Sequence, residues 1–356
     1  MALSTPSGII EGFYGAPYSS RTRLAMMQMA SALGMSFYAF APKNYEPLRK
    51  RWAEPLPSGA YEPLALAGAR AHALGLKFAF GISPLGLSSD LGAMLGVFKD
   101  RVRFFMEVSH ADFACLLFDD VPNAFPDLGS RQNLVIRAME EALGGGTEIW
   151  ACPTTYSDDP ILARLYGPTP SSYFEELQDG IGDEVRFFWT GPRVLSKGFS
   201  RRDIRRADSL FHGRTVIWHN YPVNDGKARA GKLYLEPFEG MAACNDERIK
   251  AVAANPMTEG VLSMIPCATL IPALSGMDAP SLSALRDGAA CDLLGPRYQE
   301  ILDLASRIRS TGLERARARD LFALRALCSS QCGSLACQEI VSYLDGCHAF
   351  DPECLT

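Results

Sequence analysis

Phe113-Ala114-Cys115-Leu116-Leu117-Phe118-Asp119-Asp120 is the stretch on which the reading of the fold turns. Six consecutive apolar residues read as a strand buried on both faces, the pattern of a parallel sheet covered by helices. Two adjacent carboxylates at the C-terminal end of such a strand are costly unless something compensates their charge. That end is also where parallel α/β proteins build their active sites. An aspartate at a strand-to-helix junction commonly caps the next helix, so this stretch alone leaves a cap and a catalytic pair both open.

Outward from it, the chain repeats one pattern. Strands are expected at Gly8 to Glu11, Ser36 to Phe40, Lys77 to Ile82, Phe113 to Phe118, Glu148 to Ala151, Val185 to Trp189, Thr215 to Trp218 and Ala251 to Ala254. The sequence between them is mostly helical, with helices over Arg21 to Leu33, Leu64 to Leu74 and Arg131 to Leu143, each stopped by a glycine. Eight βα units over this length predict a (β/α)8 barrel. The alternative, an open doubly wound sheet, lacks the glycine-rich dinucleotide fingerprint after its first strand. From Ser275 onward the pattern is helical, over Ser281 to Leu294, Tyr298 to Ser310, Leu313 to Cys328 and Leu335 to Leu344. The expected division is a barrel over residues 1–274 and a helical appendage over 275–356.

The 356 residues are 47% hydrophobic and carry a net charge of −5, which argues against nucleic acid as a partner. No apolar run reaches membrane-spanning length, and Met1 to Gly8 shows no basic region followed by an apolar stretch, so a cytoplasmic location is expected. Of the ten cysteines, Cys328, Cys332, Cys337, Cys347 and Cys354 crowd into the last 30 residues with His348 among them. Their spacing lacks the paired pattern of a structural zinc site, so free thiols are expected, with disulfides the reading for an oxidising compartment.

A barrel predicts that reactive side chains follow the strands on one face, and polar or glycine-bearing loops follow all eight. Gly8-Ile9-Ile10-Glu11-Gly12-Phe13-Tyr14-Gly15, Ala41-Pro42-Lys43, Phe118-Asp119-Asp120, Cys152-Pro153-Thr154, Trp189-Thr190-Gly191-Pro192, Trp218-x-Asn220 with Asp225, and Asn255-Pro256 together resemble glycoside hydrolase family 84. The resemblance covers about residues 5 to 265, with its motifs in the same order and at similar spacing. It implies a retaining β-N-acetylglucosaminidase of the O-GlcNAcase and hyaluronidase-like group, acting on terminal GlcNAc of a glycoprotein or glycoconjugate without a cofactor. The implied mechanism is substrate-assisted, an exception to the usual pair of protein carboxylates.

By match to those motifs, Asp119 is the residue that orients the 2-acetamido group, and Asp120 is the general acid/base. Two carboxylates this close do not both ionise easily, so one is held protonated for donation. Tyr156 matches a phenol on the acetamide oxygen; Lys43 and the Gly12 carbonyl match groups that hold sugar hydroxyls. Asp225 matches the acceptor for the far-side hydroxyls, Asn220 and Asn255 match sugar-contacting amides, and Trp218 matches the acetamide pocket wall. The chain departs from the pattern at Asn44-Tyr45, Tyr18, Leu85-Gly86, Thr155, Glu236 and Met241, which puts the cleft beyond the first sugar, and so the aglycone, in question. Two rival functions stay open: a divalent-metal hydrolase using Asp119, Asp120 and Asp225 as hard oxygen ligands, and an inactive GlcNAc-binding barrel. A homo-oligomer is also open.

Overall fold

A computed structural model describes residues 5–331, 333–347 and 350–355. Eight parallel strands, β1 (Ser7–Glu11), β2 (Phe37–Phe40), β3 (Lys77–Ile82), β4 (Phe113–Leu117), β5 (Glu148–Cys152), β6 (Val185–Trp189), β7 (Thr215–His219) and β8 (Ile249–Ala254), pair in sequence order. β8 pairs back onto β1 and closes the barrel. Around them run α1 (Ser20–Ala32), α2 (Glu62–Ala73), α3 (Leu91–Ser109) and α4 (Leu128–Leu143). The short α5 (Pro160–Tyr166) and α6 (Tyr173–Leu177) follow β5, and α7 (Arg201–Phe211) follows β6. After β8 come α8 (Gly260–Cys267), α9 (Leu270–Leu274), α10 (Ala279–Leu294), α11 (Tyr298–Thr311), α12 (Ala318–Ser329) and α13 (Leu335–Leu344).

Strand alternation divides the core in two. Inward residues such as Ile10, Phe37, Ala39, Phe113, Cys115, Trp150, Phe188, Val216 and Ala253 fill the barrel. Their outward neighbours Ile9, Tyr38, Phe80, Leu116, Ile149, Phe187, Ile217 and Val252 pack beneath the helices. The interior is aromatic: Trp150 lies with ring centroids 5.0 Å from Phe37, 4.3 Å from Phe113 and 5.7 Å from Phe188, and Phe188 lies 5.0 Å from Trp218. Outward-facing Glu11 is buried and takes two 2.8 Å hydrogen bonds from Arg23 of α1 and one of 2.9 Å from the Tyr38 hydroxyl. That arrangement compensates the buried charge and fixes β1 against α1 just before the chain reaches Gly12.

Two expectations need correction, and one helix is added. The segment between β7 and β8 holds only a short 3-10 turn at Ala242–Cys244, because Pro222, Pro237 and several glycines interrupt helical pairing. The stretch Leu313 to Cys328 is not one helix: a 3-10 turn at Leu313–Arg315 follows Gly312, whose φ is +81°, and α12 starts at Ala318. α3, which the sequence reading left unplaced, buries Phe98, Val102 and Phe105 at helical spacing and is capped by Asp90 accepting from the Ala93 N–H at 3.4 Å. The last four helices pack around a cluster of their own, including Ile301, Ile308, Leu324 and Ile340, which reaches the barrel through Met257, Val261 and Ile265. Cys328 and Cys337 are buried in it, whereas Cys332 and His348 lie outside the described residues.

Candidate active site

The inward set of each strand, extended by two residues past its end, generates much of the pocket. Ile10 leads to Gly12, Ala41 to Lys43, Leu117 to Asp119, Phe188 to Thr190, Trp218 to Asn220 and Ala253 to Asn255. Those residues line one pocket at the C-terminal mouth of the barrel, together with Asp120, Tyr156 and Asp225. All nine residues singled out in the sequence therefore meet in space.

Strand parity would send Asp120 away from the pocket. Instead it adopts φ +59°, the left-handed region that aspartate tolerates better than most residues, and its carboxylate turns back beside Asp119. The chain is held just before this turn: the Phe118 N–H donates to the Cys152 carbonyl at 2.9 Å and its carbonyl accepts from the Thr154 hydroxyl at 2.8 Å. It is held just after as well, since the Asn123 N–H donates to the Tyr166 carbonyl at 2.7 Å. Neither aspartate caps a helix, as α4 begins only at Leu128.

The two carboxylates have different surroundings. Asp119 Oδ2 pairs with Lys43 Nζ, whereas Oδ1 is buried with no hydrogen-bond partner. Asp120 sits in a cradle of phenols. Tyr14 donates to Oδ2 at 2.8 Å, and Tyr156 and Tyr166 donate to Oδ1 at 3.0 and 3.1 Å. Burial and then the charge of Asp119 push the Asp120 pKa above the ordinary carboxylate range, against the opposing pull of Lys43 and the phenols. Burial and then Asp120 raise all three tyrosines, so they remain protonated donors.

The rest of the pocket is a linked polar wall. Asn220 Oδ1 accepts from Trp218 Nε1 at 2.9 Å and from Asn255 Nδ2 at 3.0 Å, while its own Nδ2 donates to the Val194 carbonyl at 2.9 Å. Asn255 Oδ1 accepts from the Gly12 N–H at 3.3 Å. Trp218 lies against Gly12 so closely that a Cβ there would fall 2.3 Å from its ring, which explains the glycine. Asp225 accepts from the Tyr14 N–H at 2.7 Å; burial, then the charge of Asp120, raise its pKa to about 6.

Tyr14, Tyr166 and Arg49 escaped the sequence reading. Tyr14 stood in the quoted loop after β1 and was a recoverable signal. Tyr166 arrives on the end of α5 and carries no local signature. Arg49 donates to the Tyr14 hydroxyl at 3.3 Å and lies 5.3 Å from its ring centroid. Tyr156 and Lys43 contact Asp120 and Asp119, respectively. Among the described residues, no group of three histidine, cysteine, aspartate or glutamate side chains is arranged to hold a metal ion.

A closed parallel barrel with paired carboxylates at its C-terminal mouth has the architecture of a (β/α)8-barrel enzyme. A family model described as beta-N-acetylglucosaminidase matches residues 7–277, and the chain belongs to that family, the family 84 glycoside hydrolases. Members of the family are retaining enzymes that use the substrate's own acetamide. The protein O-GlcNAcases of mouse (Mus musculus) and rat (Rattus norvegicus) are each 25% identical over 261 residues, which is 71% of this chain and 28% of theirs. The chain thus spans under a third of the length of those relatives. Among solved structures, a point mutant of the O-GlcNAc hydrolase of Thermobaculum terrenum superposes with a TM-score of 0.73 at 24% identity, covering 96% of this chain and 74% of that one. CpGH84B superposes with a TM-score of 0.72 at 20% identity, covering 97% and 67%. At these identities the likeness speaks to the fold.

Proposed function

We propose that this chain is an exo-acting, retaining β-N-acetylglucosaminidase that removes terminal GlcNAc from a glycoprotein or glycoconjugate by participation of the sugar's 2-acetamido group. The observation that carries this reading is the asymmetry of the two carboxylates. One has a bare, buried oxygen beside a lysine, and the other lies among phenols with its pKa raised by burial and by its neighbour's charge.

In the first step the acetamide oxygen attacks the anomeric carbon, the bond to the aglycone oxygen breaks, and Asp120 gives that oxygen its proton. The product is a bicyclic oxazolinium ion, an oxazoline whose nitrogen still carries its proton. Asp119 Oδ1, free to accept, takes the acetamide N–H and stabilises the positive charge that develops there. In the second step Asp120, now a carboxylate, removes a proton from water as it attacks the same face and restores the acetamide. Tyr156 shares Asp120 Oδ1 with Tyr166, so its hydroxyl can turn to the acetamide oxygen while Tyr166 keeps the contact. Lys43, the Gly12 carbonyl, Asp225, Asn220 and Asn255 would hold the hydroxyls, and Trp218 would wall the acetamide pocket. The organisation that goes with this is a catalytic barrel over residues 1–274 carrying a helical appendage over 275–356, in a cytoplasmic enzyme. No helix of the described residues is long and apolar enough to cross a membrane.

Turnover of an aryl β-GlcNAc with retention, and tight inhibition by a thiazoline mimic of the oxazoline, are the expected results. Loss of activity in EDTA with recovery in Mg²⁺ would overturn the reading in favour of a metal hydrolase. Binding of GlcNAc without turnover would leave a lectin-like barrel.

A further inference from the structure

The segment 350–355 returns to the catalytic mouth from beyond α13. Asp351 Oδ2 accepts from Asn44 Nδ2 at 2.6 Å, and Glu353 Oε2 accepts from Arg49 Nη1 at 2.8 Å, with Lys50 Nζ on the other carboxylate oxygen. The segment is folded into a turn of its own: the Cys354 N–H donates to the Asp351 carbonyl at 3.0 Å, and the Glu353 N–H to Asp351 Oδ1 at 2.9 Å. Cys354 is only 5% exposed and lines the same pocket as Asp119 and Asp120.

Its position relative to the acid is informative. Glu353 holds Arg49, which holds Tyr14, which donates to Asp120. Cys354 itself lines the pocket beside Asp119 and Asp120. A general acid must face the oxygen of the leaving group. A segment that is joined to the acid through Arg49 and Tyr14 and that lines the acid's own pocket therefore stands beside the path by which the aglycone departs. Its anchors are partly solvated, with the Glu353 and Lys50 side chains 42% and 49% exposed, and such pairs hold weakly.

We propose that residues 351–354 form the aglycone wall of the active site and determine specificity there, admitting slim aglycones and excluding GlcNAc attached to the surface of a folded protein. This rests on the glycosidase reading above and narrows its substrate class to small or flexible glycoconjugates. A sugar on a folded protein brings surrounding backbone and side chains to the mouth, where this segment already stands. A small alkyl, aryl or short glycan aglycone needs no such room.

The test is a comparison of kcat/KM on an aryl β-GlcNAc and on a GlcNAc-modified folded protein, for the full chain and for Asp351→Ala/Glu353→Ala. The variant is expected to raise the ratio of protein to aryl activity by about tenfold or more. Asn44→Ala/Lys50→Ala removes two of those three contacts from the opposite side, leaving Arg49 on Glu353, and should move the ratio in the same direction by less, which guards against a folding defect of the first variant. Cys354→Phe, which narrows the wall, should lower the ratio. A ratio unchanged within about twofold in both double variants, or equal falls on both substrates, would overturn the proposal and reduce the segment to a brace for the tyrosines. Absence of aryl turnover by the unaltered chain would instead remove the glycosidase reading itself.

Discussion

Asp120→Asn separates proton donation from everything else the pocket does. In the structure both Asp120 oxygens are acceptors, one for Tyr14 and the other for Tyr156 and Tyr166. An asparagine keeps the volume and one acceptor but cannot release a proton. The phenols can rotate to accept from its amide, so the cradle survives with weakened geometry. General acid assistance is worth about 10²–10⁴-fold, or about 3–5 kcal/mol of barrier. A poor leaving group such as an alkyl alcohol should lose that whole factor in kcat/KM. A dinitrophenolate departs without a proton and should lose less than about tenfold in its first step. The assay is a series of aryl and alkyl β-GlcNAc substrates of graded leaving-group pKa, whose plot of log kcat/KM against pKa should steepen in the variant. Because the Asp120 pKa is raised, the basic limb of the unaltered enzyme's profile reports loss of its proton, and that limb should vanish in the variant for activated substrates. A uniform loss across the series would refute the acid role.

Asp119→Asn should behave differently, depressing kcat/KM by about 10²–10³-fold for every leaving group and weakening thiazoline binding, as expected for loss of a charge aimed at the reacting acetamide; a loss confined to poor leaving groups would contradict it. Gly12→Ala sets a methyl 2.3 Å from the Trp218 ring, and forcing that contact should cost about 1–3 kcal/mol, read as a lower Tm together with a raised KM; an unchanged Tm would mean the wall yields freely. Asp225, with its pKa near 6, is a carboxylate above that pH and protonated below it. If it accepts from the sugar, kcat/KM should fall as pH drops through about 6, and Asp225→Asn should flatten that limb while lowering its plateau by about tenfold or more.

The strands were legible because a parallel barrel buries both faces of each one, leaving short apolar runs such as Phe113 to Leu117 between glycines and polar loops. Much of the pocket was legible for the same reason, since Gly12, Lys43, Asp119, Asn220 and Asn255 continue the inward parity of their strands. The seventh crossover had the right length for a helix but the wrong punctuation. The tyrosine cradle could not be read, because Tyr166 comes within reach of Asp120 only through the packing of α5 and the loop at Asn123. The segment at Asp351 is more remote still: its partner Asn44 lies 307 residues away, and only closure of the whole molecule joins them.

The aromatic packing of Phe37, Phe113, Trp150 and Phe188 inside the barrel gives the pocket a closed bottom. Trp218, which lines the pocket, rests on Phe188 and so on that stack, and the barrel interior beneath the pocket is filled. Water for the second step must come through the doorway the aglycone has just vacated. On the proposed mechanism one opening serves both steps, the aglycone leaving by it and the water entering by it.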